Sequence, residues 1–304
     1  MGNIVKNRAE ILFLYDVNFA NPNGDPVDEN KPRIDEETGI NIVTDVRLKR
    51  TIRDYLAYYK GKEVFILETR EEEGGKLRTK EERMKDFGTN KDIIEKCIDV
   101  RLFGATTAVK DKVMTLTGPV QFKYGKSLHK VDLMYIKGTT VMPSGEGRGQ
   151  GTFTEKYILP YSLIAFYGVV NENAAITQNI PLTDEDVDLM LEGMWNGTKN
   201  LMSGSKMGHE PRLLVEVIYQ ENNYQIGELE KRIKFVHDME DEKIRDIQDG
   251  KLDITELVTV LKENKDKIKL IKYVYDDRVI FTCNGEVCTL EKALEGLNIQ
   301  KLQY

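Results

Sequence analysis

The sequence predicts an α+β fold in which helices pack on a largely antiparallel sheet, and three observations carry that prediction. Across Ala9–Phe19, Ile11, Phe13, Tyr15, Val17 and Phe19 alternate with Leu12, Leu14, Asp16 and Asn18, the period-two pattern of a strand. Over 44–59, Leu48, Ile52, Tyr55, Leu56 and Tyr59 fall on one stripe at helical spacing. After an insertion, strand, protrusion, strand, helix and strand patterns follow in turn up to Tyr219.

In the first strand both faces are apolar until Asp16 and Asn18 turn one of them polar, as in a central strand emerging at a functional edge. Asn21-Pro-Asn-Gly-Asp-Pro26 is a dense turn signal, and an acidic loop continues to Gly39. Thr44 suits a helix N-cap with Asp45 in the first turn, and Gly61 ends the helix. Arg47, Lys49, Arg50 and Arg53 occupy the rest of its circumference. Glu63–Leu67 reads as a short strand, Glu71–Lys85 as a solvated charged stretch, and Ile93–Phe103 as a helix. Val113–Phe122 is a strand interrupted at Gly118-Pro119. Tyr124–Thr154, with six glycines and Pro143, is expected to protrude as a loop or hairpin.

Tyr157–Val170 returns to the core as a strand. Thr183 and Asp186 have the spacing of a capping box, followed by an apolar face of Val187, Met190, Leu191, Met194 and Trp195, with Gly197 as the helix end. A polar loop then leads to the strand Leu213–Tyr219. Helices around Ile226–Phe235 and Ile254–Leu261, a hairpin over Tyr273–Cys288 and a terminal helix complete the chain. The order β-α-β-β-α-β is that of a ferredoxin-like fold, which RNA-recognition-motif domains share, although fold alone does not give function.

The 304 residues are 40% hydrophobic, enough for a sizeable core without metal or disulfide support. No apolar run reaches the ~18 residues of a membrane span, and the polar start lacks a signal-peptide core, so a cytoplasmic location without membrane contact is expected. The net charge of −7 hides a split. Residues 44–62 carry six Lys/Arg against two acids and 101–160 carry nine against four, whereas 220–304 carry fourteen against eighteen. Cys97 reads as a small buried hydrophobe, and Cys283 and Cys288 are expected to face each other across an Asn284-Gly285 turn. With three cysteines and three histidines, neither a zinc site nor any other cofactor is called for.

Enzymatic signatures are weak. The glycine run 145–151 lacks the Gly-Lys-Ser/Thr ending of a phosphate loop and does not open a helix. The acids Asp16, Asp25, Asp28, Asp35, Glu36 and Glu37 are the best catalytic candidates, as Mg²⁺ ligands for phosphodiester cleavage, but their spacing is not that of a calcium-binding loop. A binding role asks for less: cations and hydrogen-bonding groups along a single-stranded backbone. Three donor-rich patches sit at connections of the predicted core. They are Arg47, Lys49, Arg50 and Arg53; Lys199, Ser203, Ser205, Lys206 and His209; and Lys123, Lys126, Ser127, His129 and Lys130. Arg148 stands among the glycines of the protrusion.

These residues also carry a family resemblance. Phe19–Pro26 (FANPNGDP), Lys31–Asp35 (KPRID) and Val43–Arg50 (VTDVRLKR) resemble the backbone subunits of type I CRISPR surveillance complexes, or Cascade. Thr117–Phe122 (TGPVQF), Ser127–His129 (SLH), Gly151–Phe153 (GTF), Leu159–Tyr161 (LPY), Ala165–Val170 (AFYGVV) and Met194–Lys199 (MWNGTK) resemble the type I-B branch. The similarity spans roughly the first 220 residues.

The resemblance implies a right-hand shape and a non-catalytic role in antiviral defence. An RNA-recognition-like palm over 1–220 is interrupted by fingers at 61–112 and a thumb at 124–155, with 221–304 as an extension packed on the palm. Copies would assemble head to tail along one CRISPR RNA and hold it for pairing with target DNA. The other partners would be the large subunit, the subunit capping the guide 5′ end and the guide-processing endonuclease. Arg47, Lys49, Arg50, Arg53, Gln121, Ser127, His129, Arg148, Lys199, Ser203, Ser205 and Lys206 are the expected RNA contacts, joined by Asn21, Asn23 and Arg33. Val141, Met142 and Pro143 would form the thumb's apolar wedge. The competing reading is a metal-dependent RNA endonuclease of the type III backbone kind, using Asp25 or Asp28.

Overall fold

A strand that is apolar on both faces needs cover on both sides. The computed structural model, which describes residues 4–109, 112–139, 153–220 and 223–304, supplies that cover from two different parts of the chain. The sheet is built from β1 (Ala9–Ala20), β2 (Ile40–Val43), β3 (Gly125–Lys130), β4 (Phe153–Val170), β5 (His209–Tyr219), β6 (Ile268–Tyr275) and β7 (Ile299–Lys301), in the order β7-β6-β5-β1-β4-β3-β2. β1 pairs antiparallel with β4 from Ala9–Val170 to Ala20–Leu159, and with β5 from Ala9–Ile218 to Val17–His209. Only β6 and β7 run parallel among these strands.

One face carries Ile11, Phe13, Tyr15 and Val17, buried under helices α1 (Asp45–Tyr58) and α2 (Asp184–Lys199). α1 starts at Thr44, whose side chain accepts the Arg47 N–H, and α2 starts in the capping box of Thr183 and Asp186. Gly197 does not end α2, which runs on to Lys199. A Cβ at Gly197 would lie 3.2 Å from Thr51 of α1, so the glycine serves the close approach of the two helices.

Leu12 and Leu14 lie on the opposite face, buried with Leu229, Phe235, Leu252, Leu257 and Phe281 of the C-terminal region. Here a four-stranded sheet, Lys234–Val236, Lys251–Asp253, Phe281–Cys283 and Glu286–Cys288, packs with the helix Thr255–Glu263. Buried Glu10 ties this region down: it accepts the hydroxyls of Tyr167 and Tyr219 and the backbone N–H groups of Ile226 (2.8 Å) and Gly227 (2.7 Å). Asp16 is not at an open edge. It is buried, accepts from Arg212 Nε (2.8 Å) and Tyr161 Oη (3.0 Å), and burial pushes its carboxyl up to about 6.

Several expectations are corrected. Glu63–Leu67 forms no strand, because the Phe65 and Ile66 N–H groups bond the Asp99 carboxylate instead of a neighbouring chain. The stretch expected to be solvated holds the helix Lys80–Lys85, and the helix expected over 93–103 is two, Asn90–Lys96 and Ile98–Phe103, divided at Cys97. Lys112–Thr117 leaves the main sheet to pair with Gly104–Val109. The protrusion begins later than Tyr124: Gly125–Lys130 is β3 of the sheet, and the hairpin is Met134–Thr139 against Phe153–Ile158. Leu229–Arg232 is a 3₁₀ turn followed by a strand, not an α-helix. Cys283 opposes Glu286 and Cys288 opposes Phe281, so the thiols are diagonal and free across the Asn284-Gly285 turn, where both residues have positive φ. Cys97 is buried, as the sequence indicates. Among the described residues no helix is long and apolar enough to cross a membrane.

Candidate nucleic-acid interface

The end of β1, the start of α1 and the loop before β5 converge, and each is tied to the others by backbone or short side chains. Asn23 Oδ1 accepts from Thr44 N (2.9 Å) and Thr44 Oγ1 (2.8 Å), which seats the helix start on the turn after β1. Asn18 N bonds Gly208 O (2.8 Å) and Asn21 N bonds Ser205 O (2.9 Å). Lys206 donates its ammonium to the carbonyls of Asn21 and Pro22. Gly208 has φ +108°, and a Cβ there would stand 2.3 Å from the Asn18 carbonyl oxygen. Gly208→Ala is therefore expected to cost about 2–3 kcal/mol and to raise protease sensitivity around residue 206. Unchanged melting and cleavage would show that the loop is not held there.

This frame concentrates positive charge. Among the described residues Lys206 and Arg47 have no carboxylate within 4.0 Å, and the Arg47 guanidinium bonds only the Thr51 hydroxyl, at 3.3 Å. Burial, then Arg47, pulls the Lys206 ammonium down to about 7, and burial also lowers the Arg47 guanidinium. His209 bonds the Lys206 carbonyl through Nδ1 and stacks on Tyr15 at 5.7 Å. Burial and the nearby Lys206 hold its pKa at about 3, so the ring is neutral. Like charges repel unless an anion joins them, and among the described residues no carboxylate pairs directly with either cation, Asp54 acting on Arg47 only from farther off.

Arg47 also lines a 490 Å³ cleft between α1 and residues 65–83, with Arg50, Arg53, Arg78, Lys80 and Arg83 around an apolar floor at Phe65–Leu67. Most of these cations are already paired: Arg50 with Asp54 (2.9 Å), Arg53 with Asp99 (2.9 Å), Arg78 with Asp86 (2.6 Å) and Arg83 with Glu63. Lys80, like Arg47, has no carboxylate within 4.0 Å among the described residues. The far wall of the cleft was not evident from the sequence; its only signal was the capping-box pair Thr79 and Glu82 at the start of a charged stretch.

The structure gives several sequence candidates other work. Ser127 and His129 are buried, not presented on a surface. Ser127 Oγ donates to His129 O (2.6 Å) and accepts Asn41 N, while His129 Nε2 accepts Leu163 N (3.2 Å) and burial lowers its pKa. Arg53 is held by buried Asp99, and Lys49 by Asp45 (2.9 Å) and Gln121 Oε1 (3.0 Å), both over the Phe103 ring. Asn21 donates to Asn30 O, and Arg33 donates to Gly24 O (2.8 Å) and pairs with Asp25 (3.4 Å), so both shape the loop after β1. Arg50, Lys199 and Ser203 are exposed, with Lys199 over Trp195, and Ser205 is half-buried. Val141, Met142, Pro143 and Arg148 lie outside the described residues.

The acidic loop is also engaged. Asp25 accepts Val27 N (3.0 Å) beside Arg33, and Asp28 pairs with Lys31 (2.8 Å). Among the described residues no group of three or more His, Cys, Asp or Glu is placed to hold a metal ion.

Comparison with known proteins adds to this geometry. A family model described as CRISPR-associated protein Cas7 matches residues 7–255. A Haloferax volcanii protein named CRISPR-associated protein Cas7 is 34% identical over 307 residues, covering 90% of this chain and 88% of its own length. A solved chain of a CRISPR RNA-guided surveillance complex superimposes with a TM-score of 0.55 at 15% identity, covering 96% of this chain and 94% of its own. A second, from such a complex in a pre-nicking state, gives 0.59 at 13% identity, covering 97% and 96%. At these identities the solved chains show a shared fold.

Proposed function

Because this chain belongs to the Cas7 family of CRISPR-associated proteins, we propose that it is the CRISPR RNA-binding backbone subunit of a type I surveillance complex, of the I-B branch. Copies line up head to tail along one guide in the cytoplasm and hold it for pairing with target DNA. The large subunit, the guide 5′-end cap and the processing endonuclease complete the assembly. The path β1-α1-β3-β4-α2-β5, with spatial order β5-β1-β4-β3, supports the reading of a ferredoxin-like palm. Residues 61–112 then form the fingers, and the hairpin leading to Val141, Met142, Pro143 and Arg148 forms the thumb.

The observation that carries the proposal is that Arg47, which lines the basic cleft, and Lys206, on which Arg47 acts electrostatically, pair directly with no carboxylate among the described residues. Phosphate is the anion that a single-stranded guide brings to such a pair. Arg50, Lys199, Ser203 and Ser205 are the further guide contacts in this reading. The chain acts as a holder and not as a nuclease.

Titration of the purified chain against labelled single-stranded RNA and a DNA twin, over a salt series in EDTA and in Mg²⁺, tests this. Salt-sensitive binding that favours RNA and leaves it intact is the expected result. Mg²⁺-dependent cleavage lost in an Asp25→Ala, Asp28→Ala variant would overturn it in favour of a nuclease. Equal, weak binding of both polymers would overturn it in favour of a general basic surface.

A further inference from the structure

Phe19 breaks the pattern that the rest of β1 obeys. It stands opposite Pro160, between the Asn18–Tyr161 and Ala20–Leu159 pairs, where proline has no N–H to give the ladder. Its φ is +46°, a left-handed backbone that an aromatic residue adopts at a cost. The side chain is 52% exposed, while Val17 and Ala20 beside it are buried. Among the described residues no ring or cation stacks on it. Among the described residues no aromatic or cationic contact offsets the strain or the exposure.

Its neighbours in the chain tie it to the loop that carries Lys206. The residues on either side of Phe19 are stitched to the cation-bearing loop, Asn18 to Gly208 and Asn21 to Ser205, and the Asn21 carbonyl holds Lys206. Phe19 lies two residues from that carbonyl, at most about 7 Å along the chain, the scale on which a base projects from its phosphate. Exposed Met207 lies on the same stitched loop.

We infer that Phe19 is the stacking platform for a nucleobase of the single-stranded RNA whose phosphate sits at Arg47 and Lys206. The inference rests on the RNA-binding reading above and adds a residue that touches a base and not the backbone. Strain held at an exposed aromatic is the kind of cost retained where a ligand uses it, and base stacking tolerates any sequence because every base has a π-face.

The test uses the full chain and an RNA of about eight nucleotides, within the usual site size of a single-strand binder, carrying 2-aminopurine. Phe19→Ala should weaken binding about tenfold, abolish the fluorescence change of the base, and leave the slope of affinity against salt unchanged. Phe19→Trp should keep the affinity. Phe19→Gly separates function from folding: it relaxes the positive φ, so it should melt at or above the parent temperature while losing affinity as Phe19→Ala does.

Equal affinity and equal fluorescence change in Phe19→Ala and the parent would overturn the inference while leaving the RNA-binding reading intact. A change in RNA-free self-association alone would also overturn it, and would mark Phe19 as a contact between copies. Failure of the parent chain to bind RNA would remove the RNA-binding reading and this inference with it.

Discussion

Replacing Asp99 with alanine is expected to cost about 3–5 kcal/mol of folding stability, the penalty for stranding one member of a buried ion pair. Asp99 is fully buried and makes three bonds: to Arg53 Nε (2.9 Å), Phe65 N (2.7 Å) and Ile66 N (3.1 Å). Removing it leaves the Arg53 guanidinium against the Phe103 ring without a counter-charge, and frees two backbone donors in a segment with no ladder to join. Asp99→Asn keeps one acceptor oxygen but loses the charge and sets its NH2 against a donor, and should fall between alanine and the parent. Arg53→Ala should destabilise by a similar amount, and the double variant by less than the sum of the two, because each single change already breaks the pair. Urea unfolding of the four variants beside the parent measures this. A midpoint for Asp99→Ala within error of the parent would show that Arg53 does not depend on Asp99. Any loss of RNA affinity in Arg53→Ala should then track stability, which separates this residue from Arg47.

Arg53 also shows where the sequence stops being informative. On a helical wheel it belongs with Arg47, Lys49 and Arg50, outside the apolar stripe, and it was read as surface. The partners that bury it, Asp99 and Phe103, come from nearly fifty residues further on. Local features were legible because their causes are local: Thr44 as an N-cap, Thr183 and Asp186 as a capping box, Asn284-Gly285 as a hairpin turn. β3 was hidden because its inward residues Ser127 and His129 are polar, and only their pairing with Asn41 and Leu163 makes that burial affordable. Gly197 looked like a helix end because the same residue type serves close helix contact. The site was half visible. The sequence shows many cations, but which of them lack a carboxylate partner is a tertiary property: among the described residues Arg47, Lys126, Lys130, Lys199 and Lys206 of the expected patches have none, nor does Lys80 in the cleft.

The affinity for RNA should fall as pH rises through and above 7, and Lys206 should be the cause. In the free chain burial and Arg47 bring its ammonium down to about 7. A bound phosphate favours the charged form, so binding is coupled to proton uptake, and affinity declines by up to about tenfold per pH unit once the free lysine is neutral. Lys206→Arg should flatten the profile, because a guanidinium stays charged throughout. Lys206→Ala should be weak at every pH. Arg47→Ala should move the decline to higher pH by removing the repelling neighbour. The Arg47→Ala, Lys206→Ala pair should lower the salt slope by about 0.7 per lost phosphate contact.

Stability supplies the opposite sign. Lys206 has a folded pKa below its unfolded value of about 10.4, so the unfolded chain binds more protons between the two. Through this residue the free fold gains stability as pH rises from about 7 towards 10. Weakening of RNA binding over that interval therefore runs against the stability trend that Lys206 itself contributes. Parallel titration and melting from pH 6 to 9 read both trends, and either a flat affinity or an equal decline in Lys206→Arg would remove Lys206 from the phosphate site.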